Sequence, residues 1–247
     1  SAIAKYQAIK QGLMHDLFTR GIDVNTGKLR PTQQEAPELY KESALGWIPK
    51  DWKVEELGDL SNKVTDGTHF TPNYTESGVP FLRVTDVQTN KIEFDKIKYV
   101  SKKEHNELIK RCHPERGDIL YSKNGTIGIP KLVDWDWEFS IFVSLALIKP
   151  KKELIKSEYL LQLLPEEIIW KQIRQRSKQG TVTNLHLEEI REFLIPLPSK
   201  QEQEIICKRG VVMKNKIKTE QQALAKYKQL KAGLLQDLLT GNVEVSV

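Results

Sequence analysis

The clearest hydrophobic pattern lies near the C-terminal end of the chain, in residues 199–241. Apolar positions there follow one another at steps of three, four or seven residues, with lysine, glutamate and glutamine between them. This spacing predicts one long helix with a single apolar stripe. At about 1.5 Å per residue the helix would be roughly 60 Å long, and its stripe would need a partner helix. The stripe consists of Ile206, Met213, Ile217, Leu224, Tyr227, Leu230, Leu234 and Leu238.

The first residues of the chain repeat part of this pattern. Residues 2–19 predict a helix, and without a gap they overlay residues 223–240 with about half of the positions identical. The copies are too far apart for a solenoid, whose repeats span about 20–50 residues. They indicate a unit of helix and domain that occurs more than once in a parent chain. We therefore expect this sequence, which opens inside the repeat without a methionine, to be a piece of a longer protein.

Between the helices, shorter apolar runs predict a mixed α/β body over residues 53–198, after an extended, proline-containing connector at residues 21–52. The fold class is α+β, with a long coiled-coil helix pair beside one globular domain and a tail at 242–247. Strands are expected at 80–87, 91–100, 118–121, 128–133 and 139–148, and helices at 102–110, 158–176 and 187–192.

Two local features are expected to join these parts. Trp47 and Trp52 should pin the connector onto the body. Ser199 and Glu202 have the spacing of a capping box, which would begin the long helix.

The composition of the chain narrows its possible functions only slightly. The net charge of +5 and the isoelectric point near 9.0 are compatible with nucleic acid but do not establish it. Cys112 and Cys207 lack the spacing of a zinc site, and two free cysteines favour a reducing cytoplasm. The sequence has no apolar run of about 18 residues, so we expect no membrane partner.

Three segments resemble catalytic motifs but lack residues that the chemistry requires. Residues 21–29 resemble a phosphate-binding loop, but they have one residue too many between the glycines and Leu29 where magnesium needs a hydroxyl. Residues 71–74 lack the second proline of the amino-methyltransferase loop, and residues 51–53 lack a partner carboxylate for a nuclease. The five histidines are scattered. We expect a chain without catalytic residues or metal ligands.

Three polar, glycine-containing segments remain, and we name them loop 1 (residues 65–71), loop 2 (122–128) and loop 3 (177–184). They are rich in Lys, Asn, Gln, Ser and Thr, the side chains that contact base edges and phosphates. Ordinary turn chemistry explains the same residues, because Asp-Gly and Asn-Gly form hairpin turns. Taken alone, the loops favour the turn interpretation.

Motifs along nearly the whole chain, in order and spacing, resemble a target recognition domain of the specificity subunits of type I restriction–modification systems. Single motifs are weak, whereas their joint order is specific. They lie at residues 10–19 with the C-terminal copy of that segment, 45–52, 66–69, 117–120, 124–128, 179–181 and 195–203.

The resemblance implies two recognition domains per subunit, separated by helices that pair antiparallel, each domain reading one half of a split double-stranded DNA target. It implies methyltransferase subunits that carry S-adenosylmethionine and restriction/translocase subunits that use ATP and magnesium, with no cofactor in this chain. The chain resembles the second half of such a subunit. We expect either a fragment or a half-length subunit that forms a homodimer through its helices.

The resemblance also assigns roles to residues. The lysines would neutralise phosphates, and Asn124 and Gln179 would pair with adenine. DNA contacts are expected from Thr68, His69, Arg83, Lys123, Asn124, Lys178, Gln179 and Thr181. Helix pairing and partner docking are expected from Ile206, Met213, Ile217, Leu224, Tyr227, Leu234 and Leu238.

Pseudo-twofold pairing would place residues 2–19 against residues 199–217 and leave the end of the stripe uncovered, which predicts self-association. Two other interpretations stay open. One is a helix-mediated scaffold protein without sequence-specific DNA binding. The other is a stand-alone methyltransferase or nuclease, which the missing cofactor loop disfavours.

Overall fold

Helices form at both ends of the chain, and short strands and helices form the part between them. The computed structural model describes residues 2–89, 91–176 and 184–240. The helices are α1 (Ala2–Thr19), α2 (Val84–Val87), α3 (Lys102–Leu108), α4 (Ser157–Leu163), α5 (Glu167–Arg176), α6 (Leu187–Arg191) and α7 (Lys200–Leu239). The strands are β1 (Tyr40–Ser43), β2 (Gly46–Pro49), β3 (Lys53–Glu56), β4 (Ser61–Asp66), β5 (Tyr74–Thr75), β6 (Val79–Leu82), β7 (Lys98–Val100), β8 (Ile119–Ser122), β9 (Pro130–Leu132), β10 (Ser140–Ile141), β11 (Leu145–Pro150) and β12 (Leu194–Leu197).

The chain divides into two compact units. The smaller unit contains α1 up to Met14 and α7 from Lys208 onward, and the larger unit contains residues 15–207. Within the smaller unit, the Lys216 ammonium lies 5.4 Å from the centroid of the Tyr6 ring. Within the larger unit, the chain just after α1 contacts the first turn of α7, because Ile22 N–H donates to Glu202 Oε1 at 2.7 Å. In each unit α1, or the chain just after it, thus contacts α7, so α7 has the partner helix that its apolar stripe predicts.

The apolar stripe of α7 has two different parts. Ile206, in the larger unit, and Ile217, in the smaller unit, are buried. The positions farther along the helix are exposed among the described residues, and these are Leu224, Tyr227, Leu230, Leu234, Leu235, Leu238 and Leu239. The predicted uncovered end of the stripe is thus present.

The larger unit is built on a four-stranded antiparallel sheet with the order β4-β11-β8-β9, which we name the main sheet. Its central strand β11 is buried on both faces, since side chains alternate along a strand. On one face Leu145 and Leu147 pack with Leu82 and Ile141 of a second four-stranded sheet, whose order is β10-β6-β7-β5. On the other face Tyr121 of β8 makes an edge-to-face contact with Phe193, which follows α6.

The ends of the body are joined to each other. Strand β12 pairs antiparallel with β3, so the chain enters and leaves the body along one two-stranded sheet. The predicted connector contains the hairpin β1-β2, in which Tyr40 pairs with Pro49. Trp52 is fully buried as expected, whereas Trp47 is exposed and does not pin the connector.

Several predicted strands are shorter in the structure or change type. The run at 80–87 ends as a strand at Leu82, because Val84–Val87 forms a helical turn whose Asp86 carboxylate accepts from Arg83 N–H at 2.8 Å. The run at 91–100 is a strand only at Lys98–Val100, and the run at 139–148 contains two strands, β10 and β11. The helix expected at 158–176 is two helices, α4 and α5, separated around Pro165, which cannot continue a helix interior.

Two further differences concern strand β4 and the first turn of α7. Strand β4, Ser61–Asp66, is too polar to be recognised alone and forms by pairing with β11. At the start of α7, Ser199 Oγ accepts from Glu202 N–H at 3.2 Å, so Ser199 caps the helix. The Glu202 carboxylate does not complete the capping box, because it binds the connector instead.

Candidate nucleic-acid interface

Loops 1 and 2 leave the main sheet at the same edge. Strands β4 and β8 both pair antiparallel with β11, so they run parallel to each other, and Asp66 and Ser122 end them opposite Ala146 and Leu145. The loops that follow therefore begin side by side at the start of β11. We name this place the sheet edge.

Loop 1 is held against the second sheet by backbone contacts. Thr68 N–H donates to the Ile141 carbonyl at 3.1 Å, and Val143 N–H donates to the Thr68 carbonyl at 3.0 Å. This close approach requires glycine at position 67, where a Cβ atom would lie 1.9 Å from the Ile141 carbonyl oxygen. Loop 1 is thus positioned by the backbone itself.

Loop 2 forms a closed turn. Gly128 N–H donates to the Ser122 carbonyl at 2.9 Å, and Ile129 N–H donates to Ser122 Oγ at 2.8 Å. Gly128 has a φ of 83° and lies against the Trp170 ring, so a side chain there would be both strained and blocked. The Asn124 Oδ1 atom is buried and has no hydrogen-bond partner among the described residues.

Loop 3 reaches the same edge through its last residue. Asn184 forms an isolated antiparallel bridge with Asn124, and Leu185 N–H donates to the Lys123 carbonyl at 2.8 Å. The predicted contact residues Lys178, Gln179 and Thr181 lie outside the described residues.

A buried carboxylate joins loops 1 and 2 at this edge. The Asp66 side chain is 2% exposed, and its Oδ2 atom lies 3.3 Å from the Lys123 ammonium. Its Oδ1 atom accepts a hydrogen bond of 2.6 Å from Arg111 Nη2, and His69 Nε2 lies 3.2 Å from both oxygens. We name these four residues the Asp66 cluster. A charge as buried as that of Asp66 is stable only with such partners.

The members of the cluster differ in their access to solvent. The side chains of His69 and Arg111 are 58% and 54% exposed, and Phe70 beside them is also exposed. The Lys123 side chain is only 8% exposed, and Thr68 is buried too. The Lys123 ammonium faces Asp66 inside the protein. DNA contacts from Lys123 and Thr68 therefore stay predictions.

Arg83 is followed by a segment that contacts loop 2, and its side chain has its own partner. Its Nε and Nη2 atoms donate to the two oxygens of Asp86 at 3.1 and 3.2 Å, and this hydrogen bonding raises the pKa of Arg83. Ser144 connects this segment to loop 2, because its Oγ accepts from Val84 N–H and its carbonyl accepts from Lys123 N–H. The structure thus brings Arg83, His69 and Asn124 to the neighbourhood of one edge.

The described residues contain neither a ready metal site nor a reactive cysteine. No group of three or more His, Cys, Asp or Glu side chains suited to a metal ion occurs in the described ranges. Both cysteines are buried, and burial raises the pKa of Cys112 and of Cys207 to about 12, so neither thiol is a ready nucleophile. In the same ranges no helix is long and apolar enough to cross a membrane.

The motif at the start of α7 has a structural role. The Glu202 carboxylate is buried and accepts from Ile22 N–H, from Trp52 Nε1 at 3.0 Å and from the Arg30 guanidinium. Gln203, also buried, accepts from Lys156 N–H at 2.8 Å and donates to the Pro198 carbonyl. These bonds fix the connector and the body to the first turn of the helix.

Sequence reasoning missed Arg111 and the role of Asp66. Arg111 follows α3 in a segment without a motif, and it meets Asp66 only because the tertiary fold brings together residues 45 positions apart. Phe70 is an apolar residue among the polar residues of loop 1, but the neighbouring sequence does not indicate that its side chain is exposed.

Comparisons with known proteins give one consistent result. A family model described as "Type I restriction modification DNA specificity domain" matches residues 49–229. The MjaX specificity subunit of Methanocaldococcus jannaschii is 29% identical over 214 residues, covering 83% of this chain and 49% of the relative. The MjaVIII specificity subunit of that organism is 24% identical over 242 residues, covering 96% and 54%. This chain spans about half the length of these relatives.

The fold agrees with a solved structure. The HsdS subunit from Thermoanaerobacter tengcongensis superposes with a TM-score of 0.62 at 18% identity, and the match covers 98% of this chain and 52% of that one. The predicted fold class, a mixed body with a long helix pair, is confirmed.

Proposed function

The chain belongs to the family of type I restriction–modification DNA specificity domains, and from this membership we propose that its body recognises DNA sequence at the sheet edge. The observation that carries the proposal is the Asp66 cluster. In this cluster Asp66 of loop 1 contacts Lys123 of loop 2, and the side chains of His69 and Arg111 are exposed at the sheet edge. Rigidly held donors of this kind suit the acceptors of DNA grooves and phosphates.

We further propose that this edge reads one half of a bipartite target. The described part of the chain has one body with one such edge, and the chain spans about half the length of the relatives it matches. A second edge, from another half or another copy, would read the second half. In this arrangement the helices set the distance between the two half-sites.

We propose that the chain is non-catalytic and acts with partner subunits in the cytoplasm. Methyltransferase subunits would dock on the helices and carry S-adenosylmethionine, and restriction/translocase subunits would use ATP and magnesium. The support is the family membership together with the absence, in the sequence, of an intact cofactor or phosphate-binding motif.

The exposed end of the α7 stripe supports association with a second copy of the chain. Leu224, Tyr227, Leu234 and Leu238 are exposed at helical spacing, and a partner helix would bury them. The pairing would be isologous between two α7 helices or would exchange α1 between copies. A strictly monomeric sedimentation profile at tens of micromolar would contradict it.

A randomised-duplex selection tests sequence recognition. The chain, alone and mixed with its cognate methyltransferase subunit, would be used to select duplexes for sequencing. We expect one short enriched half-site, or a pair of half-sites at a fixed spacing if two copies act together. Binding that depends on charge but enriches no sequence would contradict the proposal and favour a helix-mediated scaffold protein.

A further inference from the structure

We propose that Arg111 contacts the DNA directly and that Asp66 is its positioning residue. This inference rests on the proposed function. It adds Arg111, which lies in no sequence motif, as a DNA contact, and it adds a positioning role for Asp66 that the motif at residues 66–69 does not indicate. The ligand would be a pair of hydrogen-bond acceptors, either the O6 and N7 atoms of guanine or two phosphate oxygens.

The geometry of the guanidinium is the first argument. Arg111 uses one nitrogen, Nη2, for its 2.6 Å bond to Asp66 and its 3.4 Å approach to His69 Nε2. Among the described residues, the other guanidinium nitrogens have no hydrogen-bond or ion-pair partner, and the side chain is more than half exposed. An arginine has five N–H donors in a rigid planar arrangement, so most of them remain available to a ligand.

The second argument is the burial of Asp66. A carboxylate that is 2% exposed and bound to the neighbouring loop through Lys123 cannot follow the arginine into solvent. It therefore fixes one corner of the guanidinium and reduces the conformational freedom that the side chain would lose on binding. Exposed ion pairs with two mobile partners lack this property.

The third argument is local charge. Asp66 carries one negative charge, whereas Arg111 and Lys123 carry two positive ones, so the cluster keeps a net positive charge at the rim. The buried Lys123 balances Asp66 from the inside, and the exposed Arg111 faces outward. A negatively charged ligand is favoured at that position.

The experiment compares single substitutions in the full chain mixed with its methyltransferase subunit, on the duplex that selection enriches and on a scrambled duplex. Arg111→Gln removes the contact, Arg111→Lys keeps the charge without the planar group, and Asp66→Asn removes the anchor. The matched controls are Arg116→Gln, a similarly exposed arginine paired with Asp136, and Asp118→Asn, another buried aspartate. Thermal unfolding of each variant checks that it is folded.

We expect Arg111→Gln to weaken binding to the selected duplex by about 5- to 150-fold, the range for one good side-chain contact, with Arg116→Gln within about twofold of wild type. Asp66→Asn should weaken binding in the wild-type background more than Asp118→Asn does. Its further effect in the Arg111→Gln background should be smaller than its effect in the wild-type background, which a merely structural role of Asp66 would not produce.

The lysine variant separates the two ligands. Binding near the wild-type level with Arg111→Lys, and a salt slope that falls by about one with Arg111→Gln, would identify a phosphate contact. Binding as weak as that of Arg111→Gln would identify a guanine edge. Equal effects of Arg111→Gln and Arg116→Gln, in a wild-type protein that does select a sequence, would overturn this inference alone. A wild-type protein that selects no sequence would overturn the proposed function first.

Discussion

The sheet edge and the end of α7 present exposed side chains in two different ways. At the edge, His69 and Arg111 reach solvent but are held from inside by the buried Asp66. Between Leu224 and Leu239, the apolar side chains of α7 are exposed without an internal anchor among the described residues. The edge is therefore complete as a rigid, polar surface, whereas we propose that the apolar helix end is covered by a partner helix.

This difference suggests a division of tasks along the chain. Polar recognition depends on donors that keep one geometry, which the Asp66 cluster supplies. Association through an apolar stripe depends on area, and adjacent leucines can adapt to more than one partner helix. Substitutions at the two regions should therefore change different measurements.

The largest expected effect is on association through the helix end. Leu234→Asp combined with Leu238→Asp should abolish self-association, because each leucine contributes about 1.5–3 kcal/mol when it is fully buried in an interface. The thermal stability of the body should not change, since both side chains are exposed in the described chain. Sedimentation at tens of micromolar measures the first effect and calorimetry the second. Association that survives both aspartates would place the interface elsewhere.

The next effect is on the edge. Gly67→Ala should destabilise the body by about 3 kcal/mol, because the added Cβ meets the Ile141 backbone at 1.9 Å and close-packed structure cannot relax freely. Gly233→Ala on α7 is the matched control, since nothing lies within 4 Å of its Cβ. It should stabilise the helix by about 0.5–1 kcal/mol. Urea unfolding of both variants tests the contrast, and equal stabilities would show that loop 1 is not held as described.

The smallest expected effect is the change in stability when the buried Lys123 is replaced, compared with an exposed lysine. Lys123→Met should lower the free energy of unfolding by about 2 kcal/mol, because the buried Asp66 carboxylate loses one of its charged partners. It should leave the salt slope of DNA binding unchanged, because the ammonium faces Asp66. Lys226→Met on the exposed face of α7 is the control for stability and should change it by less than about 0.5 kcal/mol. A salt slope reduced by one in Lys123→Met would restore the phosphate contact expected from the sequence.

Sequence reasoning succeeded where the signal is local. The periodicity of residues 199–241 and its copy at residues 2–19 predict α7, α1 and the uncovered end of the stripe, because helical spacing acts between near neighbours. Loops 1 and 2 were recognised from their composition, and the parallel directions of β4 and β8 explain why they meet.

Sequence reasoning failed where a feature depends on contacts that only the tertiary structure creates. Strand β4 has a polar sequence and exists because β11 pairs with it. The burial of Lys123 against Asp66, which lies in another loop, has no local sequence signal. Arg111 has no motif around it, and only the fold places it on Asp66. Each miss is a contact between segments distant in sequence.

Hydrogen–deuterium exchange of the chain with and without its selected duplex tests the central claim most directly, because it reports the edge and the helix in one sample. We expect the duplex to slow exchange in loops 1 and 2 and in the peptide that contains Arg111, with no change between Leu224 and Leu239. Slower exchange along α7 alone, with loops 1 and 2 unchanged, would contradict the account and assign DNA binding to the helix.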